Sequence, residues 1–122
     1  MSEAMTFTYD AGGFDESAPV IYLWMVVWPD GRTDSYVGQS KSGANRPLKH
    51  YKRNVKRFNA GRPYRKSNPD GWRRVHLAMA ECMVAGGAIH LSLIANTSHS
   101  DINALERHYI RELRPSLNGG DS

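Results

Sequence analysis

The chain has 122 residues, 40% of them hydrophobic and 23% charged, a composition that fits one compact domain and excludes a disordered chain. Its longest apolar run, Val20 to Trp28, is about half the roughly 20 residues of a membrane helix, and we expect neither a membrane span nor an export signal. The lone Cys82 excludes an internal disulfide and indicates a buried, inert thiol in a reducing compartment, so we expect a cytoplasmic protein.

The net charge of +4 is modest, but the basic residues are clustered. Eleven of the sixteen Lys and Arg residues lie between Arg46 and Arg74, a stretch in which Asp70 is the only acid. Such a cluster is typical of a protein that binds a phosphate backbone. A solvated basic loop would have the same composition, so composition leaves both interpretations open.

The first part of the chain predicts an arm and a hairpin. Residues 1–18 are polar and acidic, and we expect a flexible N-terminal arm. Val20 to Trp28 is apolar on both faces, which predicts a strand inside a sheet. Pro29 to Gly31 is a strong turn signal, after which Ser35 to Val37 begins a second strand that we expect to end at Gly38.

The second part predicts two helices, a strand and a last helix. The first helix begins near residues 45–47 and ends at the break of residues 59–63. A polar loop leads to a helix from about Asp70 to Val84, and residues 88–95 alternate as a half-covered strand. Ser100 and Asp101 are suitable caps for a helix that ends at Leu113. The order β-β-α-α-β-α predicts a small α/β sandwich with one mostly antiparallel, three-stranded sheet flanked by helices.

Glu106 is a carboxylate at an apolar position of the last predicted helix. Ile102 lies one turn before it, and Tyr109 and Leu113 lie on the same side after it. A bare buried carboxylate would cost several kcal/mol, so this position needs a cation. Either a metal ion or one of the many arginines would supply it.

Arg46 and His50 are four residues apart, on one face of the first helix near its amino end. Arginine is unfavourable there unless an anion is present, because the end of the helix is already positive. The pair therefore indicates an anion site, or a surface arginine beside a packed histidine. Tyr22 and Tyr36 lie on paired strands, where tyrosines are commonly core residues.

These features occur in a fixed order along the chain. Val20-Ile21-Tyr22 and Tyr36-Val37-Gly38 are followed by Arg46, by His50, and by Glu106 ahead of Pro115-Ser116-Leu117-Asn118. Together they resemble the GIY-YIG nuclease family, with Val20 in place of its first glycine and His50 at the spacing of its restriction-enzyme members. The resemblance implies a GIY-YIG-like fold in residues 19–119, with a basic insertion at residues 52–71.

The resemblance also implies a one-metal hydrolysis of phosphodiester bonds. Glu106 would hold one Mg²⁺ or Mn²⁺ ion. Tyr22 would be the general base or would position the attacking water, and His50 is the best candidate to accept its proton, because an unperturbed tyrosine has a pKa near 10.

Three further residues complete the implied site. Arg46 would stabilise the charge on the phosphate, Tyr36 would bond to the phosphate or order water, and Asn118 would anchor the last segment. The basic insertion mixes cations with aromatic rings, which suits contact with a nucleic-acid backbone. We expect it to bind through Lys52, Arg53, Lys56, Arg57, Arg62, Tyr64, Arg65, Lys66 and Trp72.

The partner expected from this combination is double-stranded DNA, in a bacterium or its phage. One site cuts one strand, so a double-strand break would require a homodimer or two successive visits. A nucleic-acid-binding module that keeps the fold without catalysis is an alternative. A small metal-dependent phosphatase is another, but it would leave the basic insertion unexplained.

Overall fold

The structure is a computed structural model that describes residues 7–118, so the first six residues of the predicted arm and the last predicted domain residue, 119, lie outside the described part. Its elements, in chain order, are β1 (Phe7–Asp10), β2 (Val20–Val27), β3 (Thr33–Ser40), α1 (Asn45–Asn59), α2 (Arg74–Ala85), β4 (Ala88–Asn96) and α3 (Ile102–Leu113).

The sheet has four strands in the order β1-β4-β2-β3, so the prediction of three strands is wrong. The additional strand, β1, lies in the predicted arm and pairs in parallel with β4, while β2 pairs antiparallel with both β3 and β4. Phe7 and Tyr9 alternate with two exposed residues and pack against the core. The sheet is therefore mixed, with helices against it.

The segment after β1 is also fixed to the domain. The side chain of Asn96, at the end of β4, accepts a hydrogen bond from Asp15 N at 2.8 Å and donates one to Asp15 O at 2.9 Å. Glu16 O accepts a hydrogen bond from Ala44 N at 2.9 Å, just before α1. In place of the expected flexible arm, the described residues 7–18 connect the edge of the sheet to the start of the first helix.

Strand β2 is interior, as its apolar sequence predicts, and its alternating side chains serve two cores. Tyr22 and Trp24 point towards a core shared with α1 and α2, whereas Ile21 packs with Val37 and Ile102 on the opposite side, under α3. The helices therefore cover both faces of the sheet. Among residues 7–118, none of the helices combines the length and the apolar surface that a membrane crossing needs.

Two predicted boundaries differ from the structure. Strand β3 continues through Gly38 to Ser40, and helix α2 begins at Arg74 rather than near Asp70. The preceding connection folds into turns of its own, such as the 3.0 Å hydrogen bond from Tyr64 N to Pro69 O. The predicted buried thiol is confirmed, because Cys82 is fully buried on α2 and burial raises its pKa.

Gly38 does not end β3. Its missing side chain leaves space for the ring of Tyr22. A Cβ atom at this position would lie 2.5 Å from both the Cζ and the Oη atoms of Tyr22. Because real Cβ atoms do not approach so closely, the ring of Tyr22 can cross β3 only over a glycine. The last residue of the second tripeptide therefore positions the tyrosine of the first.

We expect Gly38→Ala to lower the free energy of unfolding by roughly 1–3 kcal/mol, because the new methyl group must displace the Tyr22 ring. Urea unfolding measures the loss. In a Tyr22→Leu background the obstructing ring is absent and the same substitution should cost much less. An equal cost in both backgrounds would show that the close approach does not explain this glycine.

Candidate active site

A cavity of about 200 Å³ lies where β2 and β3 meet α1 and the start of α2. Three of the predicted catalytic residues, Tyr22, Arg46 and His50, line it. Two further arginines, Arg65 and Arg73, also line it, and among residues 7–118 no Asp or Glu does. The cavity is therefore a positively charged recess with a tyrosine in its wall, suited to an anion.

Two hydrogen-bonded tyrosines, Tyr22 and Tyr51, form one wall of this cavity, and Tyr36 lies outside its lining. The hydroxyl groups of Tyr22 and Tyr51 are 3.2 Å apart. Arg73 donates from Nη2 to the Tyr51 hydroxyl at 3.1 Å and from Nη1 to the Tyr36 hydroxyl at 2.9 Å. One guanidinium thus links Tyr36, on β3, to the pair formed by Tyr22 and Tyr51.

Burial makes the two paired tyrosines poor acids. The pKa of Tyr22 is raised well above 10.0, first by burial and then by the neighbouring Tyr51. Burial also raises the pKa of Tyr51, to about 12, although the hydrogen bonds from Arg73 and Tyr22 oppose the rise. Both hydroxyl groups are protonated at neutral pH, so a tyrosine that acts as a base here needs a group that receives its proton.

His50 was predicted to be that group, but the hydrogen-bond partner of the Tyr22 hydroxyl is Tyr51. The Nε2 atom of His50 lies 3.4 Å from Arg53 Nη2. Burial and the charges of Arg53 and Arg46 lower the pKa of His50. The imidazole is therefore neutral near pH 7 and can accept a proton within the same cavity.

Arg46 is exposed in the first turn of α1, at the mouth of the cavity. That turn contains no acidic residue, and Ala44 at the N-cap has no side chain that could bond to the free N–H groups. Arg46 and the amino end of the helix therefore present positive charge in the same place, as the sequence predicted.

Glu106 is half-buried on α3 and lies beside the cavity rather than in its lining. Its Oε1 atom accepts a hydrogen bond from Gln39 Nε2 at 2.7 Å. The same nitrogen donates to Asn103 Oδ1 at 2.8 Å. Gln39 also lines the cavity, so one residue separates the carboxylate from the group around Tyr22.

Asn118 pairs with the backbone of β3 on its outer edge. Its Oδ1 atom accepts from Val37 N at 2.7 Å, and its Nδ2 atom donates to Val37 O at 2.8 Å. Leu117 N donates to Ser35 O at 2.8 Å. Because Ser35 and Val37 flank Tyr36, these hydrogen bonds of the C-terminal segment hold the backbone on both sides of that tyrosine.

The predicted nucleic-acid-binding residues form a basic surface along the exposed side of α1. A cleft of about 840 Å³ is lined by six cations, namely Lys49, Lys52, Arg53, Lys56, Arg57 and Arg62. A smaller cavity of about 370 Å³, lined by Arg53, Arg57 and Arg65, shares His50 and Arg65 with the tyrosine cavity. The positive surface is therefore continuous from α1 into the candidate site. Lys66 is exposed on the connection to α2.

The two aromatic residues predicted to bind nucleic acid, Tyr64 and Trp72, pack against each other. The Trp72 ring packs 5.5 Å from Phe58 and 5.0 Å from Tyr64, measured between ring centroids. Arg57 Nη2 donates to Pro63 O at 2.8 Å. These contacts fix the connection between α1 and α2, which leaves Tyr64 in the cavity wall and Trp72 packed behind it.

No family model, curated protein or solved structure matches the chain.

Three residues of the site did not emerge from the sequence: Tyr51, Arg73 and His76. Tyr51 has the spacing of an ordinary core residue on α1. Arg73 is the N-cap of α2, and its N–H donates to His76 Nδ1 at 3.2 Å. The sequence signal for this pair is a side chain that can accept a hydrogen bond from the N-cap N–H three residues before it. That signal can be recognised only when the first residue of the helix is known.

His76 is 1% exposed, and burial and the charge of Arg73 lower its pKa to about 4. The unfolded chain therefore binds more protons than the folded protein between about pH 4 and pH 6.5. We expect the free energy of unfolding to decrease as the pH falls through this window, by about 2–3 kcal/mol from His76 alone.

Urea unfolding of wild type and His76→Gln at pH 4.5 to 7.5 measures this effect. Glutamine keeps an acceptor for the N-cap N–H and does not titrate, so the pH dependence should become flatter. His99→Gln, at an exposed histidine, is the matched control and should keep the wild-type dependence. A His76→Gln curve parallel to wild type would contradict the assignment.

Proposed function

We propose that the chain is a metal-dependent endonuclease of the GIY-YIG type, which hydrolyses phosphodiester bonds in double-stranded DNA. The observation that carries the proposal is the meeting of Tyr22, Arg46 and His50 in one positively charged cavity. These residues come from β2 and from the start of α1, and the sequence pattern selects them independently of the structure.

The cavity is suited to a phosphodiester. Arg46, Arg65 and Arg73 supply guanidinium groups, and the first turn of α1 supplies free N–H groups. Because no carboxylate of the described part of the chain lines the cavity, these charges are available to a phosphate. In the transition state Arg46 would stabilise the additional negative charge on the phosphate oxygens.

A divalent ion would be held at Glu106. Its carboxylate keeps one oxygen beyond the Gln39 contact, and the amide oxygen of Asn103 lies close by, so the donors are the hard oxygen atoms that Mg²⁺ and Mn²⁺ prefer. No cluster of three or more His, Cys, Asp or Glu side chains that could hold a metal occurs within the described chain. Waters and phosphate oxygens would complete the coordination. A bound ion polarises the phosphate and stabilises the leaving oxygen.

Tyr22 would take the proton of the attacking water. It lies in the cavity wall, over Gly38, with its ring held rigidly by β3. His50, neutral near pH 7, would receive the proton that Tyr22 releases. Tyr36, outside the cavity lining, would be oriented by the C-terminal segment and would hold Arg73 in place beside the bound phosphate.

The basic side of α1 would bind the DNA backbone on either side of the scissile phosphate. Its cations form one surface with the cavity, and α1 contains no acidic residue. Backbone binding of this kind is independent of sequence and depends strongly on salt. The element order from β2 to α3 is the β-β-α-α-β-α order predicted from the sequence, with β1 as an additional edge strand.

One observation favours a second candidate, a nucleic-acid-binding module without catalysis. Glu106 is engaged by Gln39 and does not line the cavity, so the carboxylate and the tyrosines are not in direct contact. Such a module would bind DNA through the same cations and cut nothing in any metal.

We expect the wild-type protein to nick or linearise supercoiled plasmid in Mg²⁺ or Mn²⁺. Glu106→Ala should lower the rate by about 100-fold or more through loss of the metal ligand. Glu112→Ala removes an exposed carboxylate from the same helix and is the matched control, which should cut like wild type. Equal cleavage by Glu106→Ala and Glu112→Ala would exclude the metal site, and binding without cleavage by all three would favour the second candidate.

We expect the triple variant Lys52→Gln, Lys56→Gln and Arg62→Gln to bind duplex DNA more weakly and with less salt dependence. Loss of three phosphate contacts should reduce the slope of log K against log salt by about 3. Fluorescence anisotropy over a salt series measures both quantities. Lys41→Gln, Arg107→Gln and Arg111→Gln remove the same charge from exposed positions outside α1. An equal change in the two triple variants would show that only net charge matters.

A further inference from the structure

The contact between Tyr22 and Tyr51 sits at the centre of the candidate site. Tyr22 is 5% exposed and so is Tyr51, and their hydroxyl oxygens are 3.2 Å apart. Either hydroxyl can donate to the other, since each has one proton and two lone pairs. In a buried setting, two such groups at hydrogen-bond distance titrate as a pair rather than as independent residues.

Arg73 influences which of the two hydroxyl groups donates the hydrogen bond. A guanidinium has only donors, so the 3.1 Å contact from Nη2 occupies a lone pair of the Tyr51 oxygen. That leaves the Tyr51 proton free to donate to Tyr22 whenever Tyr22 is the ionised member. When Tyr51 is the ionised member, the guanidinium faces the negative oxygen directly.

The position of Arg73 is itself fixed from two sides. Its N–H is bonded to the buried ring of His76, at the N-cap of α2. Its Nη1 atom is bonded to Tyr36 at 2.9 Å. The guanidinium also lies near the faces of the Tyr36 and Tyr51 rings, at 5.6 and 5.7 Å from their centroids. The cation is therefore held against the tyrosines before any substrate binds.

We propose that Tyr22 and Tyr51 form one proton-sharing base, whose singly ionised form is stabilised by Arg73. The inference rests on the proposed nuclease function and adds two positioning residues, Tyr51 and Arg73, to it. The pair loses one proton to the cavity, where His50 can receive it. The remaining proton is then shared along the bond between the two oxygens.

The proton balance of the step follows from this arrangement. The O–H bond of the attacking water breaks, and its proton forms a new O–H bond on Tyr22, while the shared proton stays with Tyr51. The electron pair of the water oxygen forms the new bond to phosphorus, and the bond to the leaving oxygen breaks. Arg73 keeps its proton throughout, because a guanidinium does not deprotonate in proteins.

The test replaces residue 22 with a fluorinated tyrosine of lower intrinsic pKa, which brings its ionisation into the range where the protein is folded. The ¹⁹F chemical shift reports the pKa of residue 22 without any need for cleavage activity. Tyr51→Phe keeps the ring and removes the hydroxyl. Fluorination makes residue 22 the first member of the pair to ionise, so Tyr51 is still protonated and can donate to the ionised oxygen. Tyr51→Phe should therefore raise the pKa of residue 22, with about a tenfold fall in its ionisation constant.

Arg73→Met supplies an independent arm, should Tyr51→Phe disturb the core. It removes the donor and should also raise the pKa of residue 22. Arg65→Met removes a cation from the same cavity. Among the contacts of residues 7–118, Arg65 lies over the Tyr64 ring and makes no hydrogen bond to Tyr22 or Tyr51, so its effect should be much smaller. Tyr9→Phe, which deletes a hydroxyl bonded to Glu16, is the matched control and should leave residue 22 unchanged.

The outcomes separate this proposal from the proposed function. A pKa of residue 22 that stays constant or falls in Tyr51→Phe and Arg73→Met would overturn the shared base, whatever the protein cuts. A rise in both variants supports it even if the wild type cleaves no DNA, in which case the nuclease proposal alone fails. In an active protein, the same variants should shift the pH profile of cleavage to higher pH.

Discussion

Arg73 makes hydrogen bonds that connect three elements of the fold, β3, α1 and α2. It reaches β3 through the Tyr36 hydroxyl and α1 through the Tyr51 hydroxyl, while its own N–H begins α2 against His76. It supplies a hydrogen-bond donor to both hydroxyls, and a buried hydroxyl without a partner would cost about 1–3 kcal/mol. The orientation of Tyr36 and Tyr51 therefore depends on this side chain, as the position of Tyr22 depends on Gly38.

The same arrangement explains why the cavity remains positive. Arg73 is bonded to neutral groups, the hydroxyls of Tyr36 and Tyr51, and the neighbouring Arg57 is bonded to the Pro63 carbonyl. Carboxylates in these places would stabilise the fold more strongly and would compete with a phosphate for the guanidinium groups. A site whose cations are left without carboxylate partners can bind an anionic ligand but stabilises the fold less. Functional sites commonly reduce the stability of a protein in this way.

Local patterns in the sequence were sufficient for β2, α1, α3 and the buried Cys82, because each is encoded by periodicity, turn signals or capping within a few residues. They did not predict β1, whose four residues find their partner in β4, far along the chain. They did not predict the amide of Gln39, on β3, as a hydrogen-bond donor to Glu106 either. Contacts of this kind depend on which elements become neighbours in the fold, and local sequence patterns do not predict those neighbours.

The parallel pairing of β1 with β4 has a consequence for the order in which the protein folds. The β2–β3 hairpin and α1 are close in sequence, so they can form early, whereas Phe7 is paired with Ile89 and must wait for almost the whole chain. During synthesis on the ribosome, the strand that is made first is among the last to be paired. Until β4 emerges, the edge that β1 later covers does not exist, and the aromatic face of Phe7 and Tyr9 stays open to water and to chaperones.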